Sequence, residues 1–88
     1  MVTVKLQNGF EAKVEPEQLN DMYFVEALAE MDSNILVLPK VCTMLLGDEQ
    51  KKALYKSLED ENGKVKLEDV GGAITEIMTA AGEETKNS

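Results

Sequence analysis

The chain has 88 residues and a net charge of −8, with 9 basic residues set against 17 acidic ones. Every basic residue is Lys and there is no His, which removes Ser/His and Cys/His pairs, bidentate guanidinium forks and arginine fingers. A chain of this size forms one domain with a modest core, and its charge argues against nucleic acid and anionic membrane surfaces as partners.

Residues 2–14 have the pattern of a β-hairpin, with Val2, Val4 and Leu6 alternating with polar residues, as do Phe10, Ala12 and Val14. A two-residue Asn8-Gly9 turn would oppose Leu6 to Glu11. A three-residue loop, Gln7-Asn8-Gly9, instead pairs Leu6 with Phe10, Val4 with Ala12 and Val2 with Val14, and sets Gly9 at a left-handed bulge position. The second register gives both strands one apolar face and is the one expected.

A helix is expected over 17–31, with Pro16 in its first turn and Glu17 and Asp21 at its positive end. Leu19, Met22, Tyr23 and Ala27 share one face; Phe24, Leu28 and Met31 share an adjoining one, and Glu26 and Glu30 mark the wet side. From Ser33 to Gly47 the chain carries a single charge, Lys40, and is too short and interrupted to span a membrane. A helix over 34–46 is expected there, with Pro39 either in its first turn or kinking it. Such a segment is either central to the core or shared with a partner.

Gly47 ends that helix, and Asp48 is placed to cap the next, over 48–60, with Leu54, Tyr55 and Leu58 inward and Lys51, Lys52 and Lys56 outward. Asn62-Gly63 is a stop signal. A last helix over 68–81 carries Val70, Ile74, Ile77, Met78 and Ala81 at helical spacing, weakened by Gly71-Gly72. Residues 83–88 have the composition of a disordered tail. The fold class is therefore α+β, mainly α: an N-terminal hairpin followed by three or four packed helices, in one domain over 1–82.

Chemistry is thinly supplied. Placing Gly63 at the sixth position of an EF-hand loop puts Leu58, which cannot ligate, at the first position, so a polar connection is the better reading. Cys42 is the single cysteine and has no His, Arg or second Cys beside it, which favours a buried thiol and excludes an internal disulfide. No catalytic residue, metal or cofactor site is expected. The Met residues at 22, 31, 44 and 78 fit core packing or, alternatively, an adaptable protein-binding surface. On apolar excess alone, Met22, Tyr23, Leu36, Val41, Met44 and Leu45 are the candidates for contact with a partner or a second copy. Met1 leads directly into a strand with no cationic start, so a reduced cytoplasmic setting is expected.

A family resemblance runs along nearly the whole chain. It is carried by the Asn-Gly hairpin, Glu-Pro-Glu-Gln-Leu-Asn-Asp (15–21), Val-Glu-Ala-Leu-Ala-Glu-Met-Asp (25–32), Leu-Pro-Lys (38–40), Leu-Leu-Gly-Asp-Glu-Gln (45–50) and Asp-Glu-Asn-Gly-Lys-Val (60–65). These resemble the tail assembly chaperones of long-tailed, siphovirus-type phages and prophages of Gram-positive bacteria. The resemblance implies a non-enzymatic assembly factor of the host bacterial cytoplasm. It would bind the tape measure protein while the tail tube polymerises, with the major tail protein as a further candidate partner, and be absent from the mature virion. It also implies homo-oligomers and a longer frameshifted form; Thr85-Lys86-Asn87 is compatible with a slippery A-AAA-AAC heptamer. The alternative is a small acidic adaptor or regulatory module of the anti-repressor or DNA-mimic type, although the carboxylates are spread over every helix. An enzyme using a carboxylate or Lys40 is a third reading.

Overall fold

A computed structural model describes residues 1–86. Strands β1 (Val2–Lys5) and β2 (Glu11–Val14) pair antiparallel in the expected register, Val2 with Val14 and Val4 with Ala12. The loop closes through Gly9 N–H to Leu6 C=O at 2.9 Å and Leu6 N–H to Phe10 C=O at 2.8 Å, with Gly9 at φ 93°. That conformation belongs to a type I turn ended by a glycine bulge, which is why the longer loop and the shared apolar face agree. Val4, Leu6, Ala12 and Val14 are buried, while Thr3, Lys5, Glu11 and Lys13 face outward.

The helix expected over 17–31 is two elements. A 3-10 segment, Pro16–Asn20, comes first and α1 (Met22–Ser33) second. Asp21 separates them at φ −74° and ψ 124°; its N–H donates to Gln18 C=O and its carboxylate accepts from Tyr23 N–H at 3.2 Å. An aspartate that caps the following helix must itself be extended, so the helix cannot run through it. A second 3-10 turn, Ile35–Val37, then leads into α2 (Leu38–Leu58), with Pro39 in the first helical turn where a missing N–H costs nothing.

Gly47 interrupts α2 at φ 82° and ψ 165°, dividing it into limbs 38–46 and 48–58. The break falls where the sequence places a helix end. Asp48 lies 3.8 Å from Lys51, whose ammonium donates to Thr43 Oγ1 at 2.8 Å. Lys51 is thus half-buried across the kink rather than free in water. The second limb stops at Leu58, and Asn62-Gly63 belong to a separate tight loop. In it Gly63 N–H donates to Asp60 C=O and Asp60 N–H to Lys64 C=O, repeating the hairpin loop's bonding with Gly63 at φ 77°. Helix α3 (Leu67–Lys86) runs past the expected end at 81 and through the first four positions of the stretch expected to be a disordered tail. Residues 87 and 88 lie outside the described residues.

Helix α2 is central, meeting α1, α3, β2 and both 3-10 segments, while β1 packs on α3. One core joins Phe24 and Ala27 of α1, the inward residues of the hairpin, Leu38, Val41, Cys42, Leu45, Leu46 and Leu54 of α2, and Val70, Ile74, Ile77 and Ala81 of α3.

Candidate partner-binding surface

Helix α1 has more apolar residues than one core contact uses. At 3.6 residues per turn, Phe24, Ala27, Leu28 and Met31 share one face, and these are the residues buried or half-buried against the core. Met22, Val25 and Ala29 recur at spacings of three and four on the opposite face, and all are exposed. Met22 is 63% and Tyr23 78% accessible, both in the first turn that the Asp21 cap starts. At the other end, Asn34 accepts from Leu36 N–H at 3.2 Å, fixing a 3-10 turn that buries Val37 and leaves Ile35 and Leu36 outward. Leu36 is 82% accessible.

The six sequence candidates therefore separate. Met22, Tyr23 and Leu36 are at the surface, and Met44 is half-buried against the core. Val41 and Leu45 are corrected: they are core residues with no surface to offer. Leu38, Val41, Cys42, Leu45 and Leu46 recur at spacings of three and four on the inward stripe of the first limb. The apolar excess of 33–47 is thus mostly core, with Ile35 and Leu36 as its outward part. Val25 and Ile35 were missed by sequence reasoning. The signal for Val25 was its spacing of three from Met22.

Charge is segregated on the same stretch. Between Lys13 and Lys40 there are six acidic residues, Glu15, Glu17, Asp21, Glu26, Glu30 and Asp32, and no basic one. Glu15 lies 3.8 Å from the N-terminal ammonium, but among the described residues Glu17, Glu26, Glu30 and Asp32 have no ion pair. Of the seven large exposed apolar side chains among the described residues, five, Met22, Tyr23, Val25, Ile35 and Leu36, fall within this all-acidic interval.

The remaining candidates for chemistry are occupied otherwise. Asp60 Oδ1 accepts from Asn62 N–H at 2.8 Å and Lys64 N–H at 3.0 Å, so the carboxylate within the EF-hand-like stretch is holding the loop's own backbone. Burial pushes the Cys42 thiol up, partly offset by the Tyr55 hydroxyl and the Lys51 ammonium; a thiol held protonated is a weak nucleophile. A groove of about 370 Å³ between the hairpin loop and the start of α3 is lined by Leu6, Asn8, Leu58, Glu68, Asp69 and Glu76, among others. No helix among the described residues is long and apolar enough to cross a membrane. No protein-family model, curated protein sequence or solved structure matches the chain.

Proposed function

We propose that the chain is a tail assembly chaperone. It binds the tape measure protein in the host bacterial cytoplasm and keeps it soluble while the tail tube polymerises, without catalysing a reaction and without remaining in the virion. One observation supports this reading above the others: large apolar side chains, Met22, Tyr23, Val25, Ile35 and Leu36, are exposed on an acidic chain of net charge −8. Exposed apolar groups of this kind mark interaction surfaces, while the charge keeps the carrier soluble. The resemblance of the segments 15–21, 25–32, 38–40, 45–50 and 60–65 to that family supplies the partner's identity. Self-association and contact with the major tail protein belong to the same reading.

Co-expression with fragments of a tape measure protein from the same genome tests it. The chaperone reading expects a fragment that is insoluble alone to become soluble and to co-purify with this chain. Failure of every fragment tiling the tape measure to do either would remove the reading. A gene neighbourhood with a major tail protein gene upstream and a very long gene downstream is its expected setting.

A further inference from the structure

We propose that the outer face of α1 is a docking site for a cationic amphipathic helix, and, resting on the chaperone reading, that the tape measure presents such a helix to it. The geometry of α1 defines the occupant. At 100° per residue, Met22, Val25 and Ala29 fall within an arc of about 60°. Glu26 and Glu30 lie along one side of that arc and Asp32 along the other, and α1 contains no basic residue. An apolar stripe flanked by carboxylates is complementary to a helix with an apolar stripe flanked by Lys or Arg. The stripe runs for about two turns, roughly 10 Å, which is the length over which residues spaced i, i+3 and i+7 on a partner can dock.

Other occupants fit less well. A second copy would bring the same carboxylates against Glu26, Glu30 and Asp32, and like charges facing across an interface oppose association. Self-association would therefore use a different face. Nucleic acid meets only negative charge here. An extended strand needs an open sheet edge, which a helix face does not provide. A simple cation would gain nothing from Met22 and Val25. Ile35 and Leu36, just beyond the end of α1, are exposed as well.

The probe is a synthetic helix with a Leu stripe and a Lys polar face, compared with its counterpart whose polar face is Glu. Both are titrated into the full chain, following anisotropy and backbone amide shifts. The Lys peptide is expected to bind, more weakly as salt rises, with shifts concentrated over residues 21–36. The double variant Glu26→Lys/Glu30→Lys should weaken it about tenfold or more, whereas Glu49→Lys/Glu61→Lys, with the same change in net charge, should cost about threefold or less. All four positions are exposed, and circular dichroism checks that each variant folds. Equal losses in the two variants, equal binding of the Glu peptide, or shifts centred elsewhere would overturn the site. A tape measure fragment co-purifying equally with wild type and Glu26→Lys/Glu30→Lys would overturn it too, leaving the chaperone reading intact. Peptide docking on α1 with no tape measure fragment captured would keep the site and remove the chaperone reading.

Discussion

The side-chain amide of Gln50 pairs with the backbone of Lys13 as a neighbouring strand would. Its Oε1 accepts from Lys13 N–H at 2.7 Å and its Nε2 donates to Lys13 C=O at 2.8 Å, and to Leu46 C=O at 2.9 Å. One residue of the second limb thereby satisfies the open edge of β2 and a carbonyl at the end of the first limb, beside Gly47. Gln50→Ala should cost about 1–2 kcal/mol, a modest figure because the freed Lys13 groups are near water. Gln50→Glu keeps the acceptor but turns a carboxylate towards two carbonyl oxygens. This disfavours the ionised form and raises the folded-state pKa of the new carboxyl. Its deficit relative to wild type should therefore be small at pH values where carboxyls are protonated, and grow as pH rises through the carboxylate range. Urea denaturation across pH checks both; a pH-independent Gln50→Glu deficit would contradict the pairing.

Glycine substitutions should separate by sign. Gly47, at φ 82° and ψ 165°, occupies a region essentially closed to L side chains, though nothing stands within 4 Å of an added Cβ. Gly47→Ala should destabilise by about 1–3 kcal/mol through backbone strain alone. Gly71 and Gly72 are helical and equally uncrowded, so alanine at either should stabilise by about 0.4–1 kcal/mol. Thermal melts distinguish these outcomes, and a neutral Gly47→Ala would show that the two limbs are not divided there.

Cys42 is fully buried, and burial raises its pKa above the ordinary value of 9.0, with Tyr55 and Lys51 opposing. The folded chain thus favours the neutral thiol. The corresponding stability is present below the ordinary value and is lost as pH rises through it towards the folded-state value. Tyr55 is raised as well, first by burial and then by its proximity to Cys42, and adds a decline in its own higher range. Cys42→Ala should flatten the first part of the alkaline decline and reduce the second to the share that burial of Tyr55 supplies. Native-state labelling by a thiol reagent should be slow and accelerate in denaturant; labelling equally fast in the native state would contradict the burial.

Surface and core apolar residues should respond differently to truncation. Phe24 and Leu54 are fully buried, so Phe24→Ala should cost about 3–5 kcal/mol and Leu54→Ala about 2–5 kcal/mol. Met22→Ser, Tyr23→Ser and Leu36→Ser should each change stability by less than about 0.5 kcal/mol, since those side chains already face water. Denaturant midpoints provide the comparison. A large loss at Leu36 would mean that it belongs to the core.

Local chemistry made much of this fold legible before any coordinates. The hairpin register followed from loop length and a glycine that could turn left-handed, and the break in α2 followed from Gly47. Less legible was which apolar face of a helix turns inward. Met22 and Phe24 are equally apolar as letters, and only the position of α2 decides that Phe24 is buried. For the same reason Val41 and Leu45 looked like interface when they are core. The split at Asp21 was hidden because an aspartate near a helix start suits both a first-turn position and a cap. Met22, Tyr23 and Leu36 were readable as apolar excess, Val25 and Ile35 were not; their concentration between Lys13 and Lys40, where no basic residue occurs, needed exposure to become visible.

The most direct measurement of the central claim is the soluble yield of a tape measure fragment co-expressed with this chain or with its Met22→Ser/Tyr23→Ser/Leu36→Ser variant. The account predicts that the wild-type chain keeps the fragment soluble and co-purifies with it, and that the variant, folded to the same stability, loses most of that yield. A fragment that stays insoluble beside the wild-type chain, or is rescued equally by the variant, would contradict it.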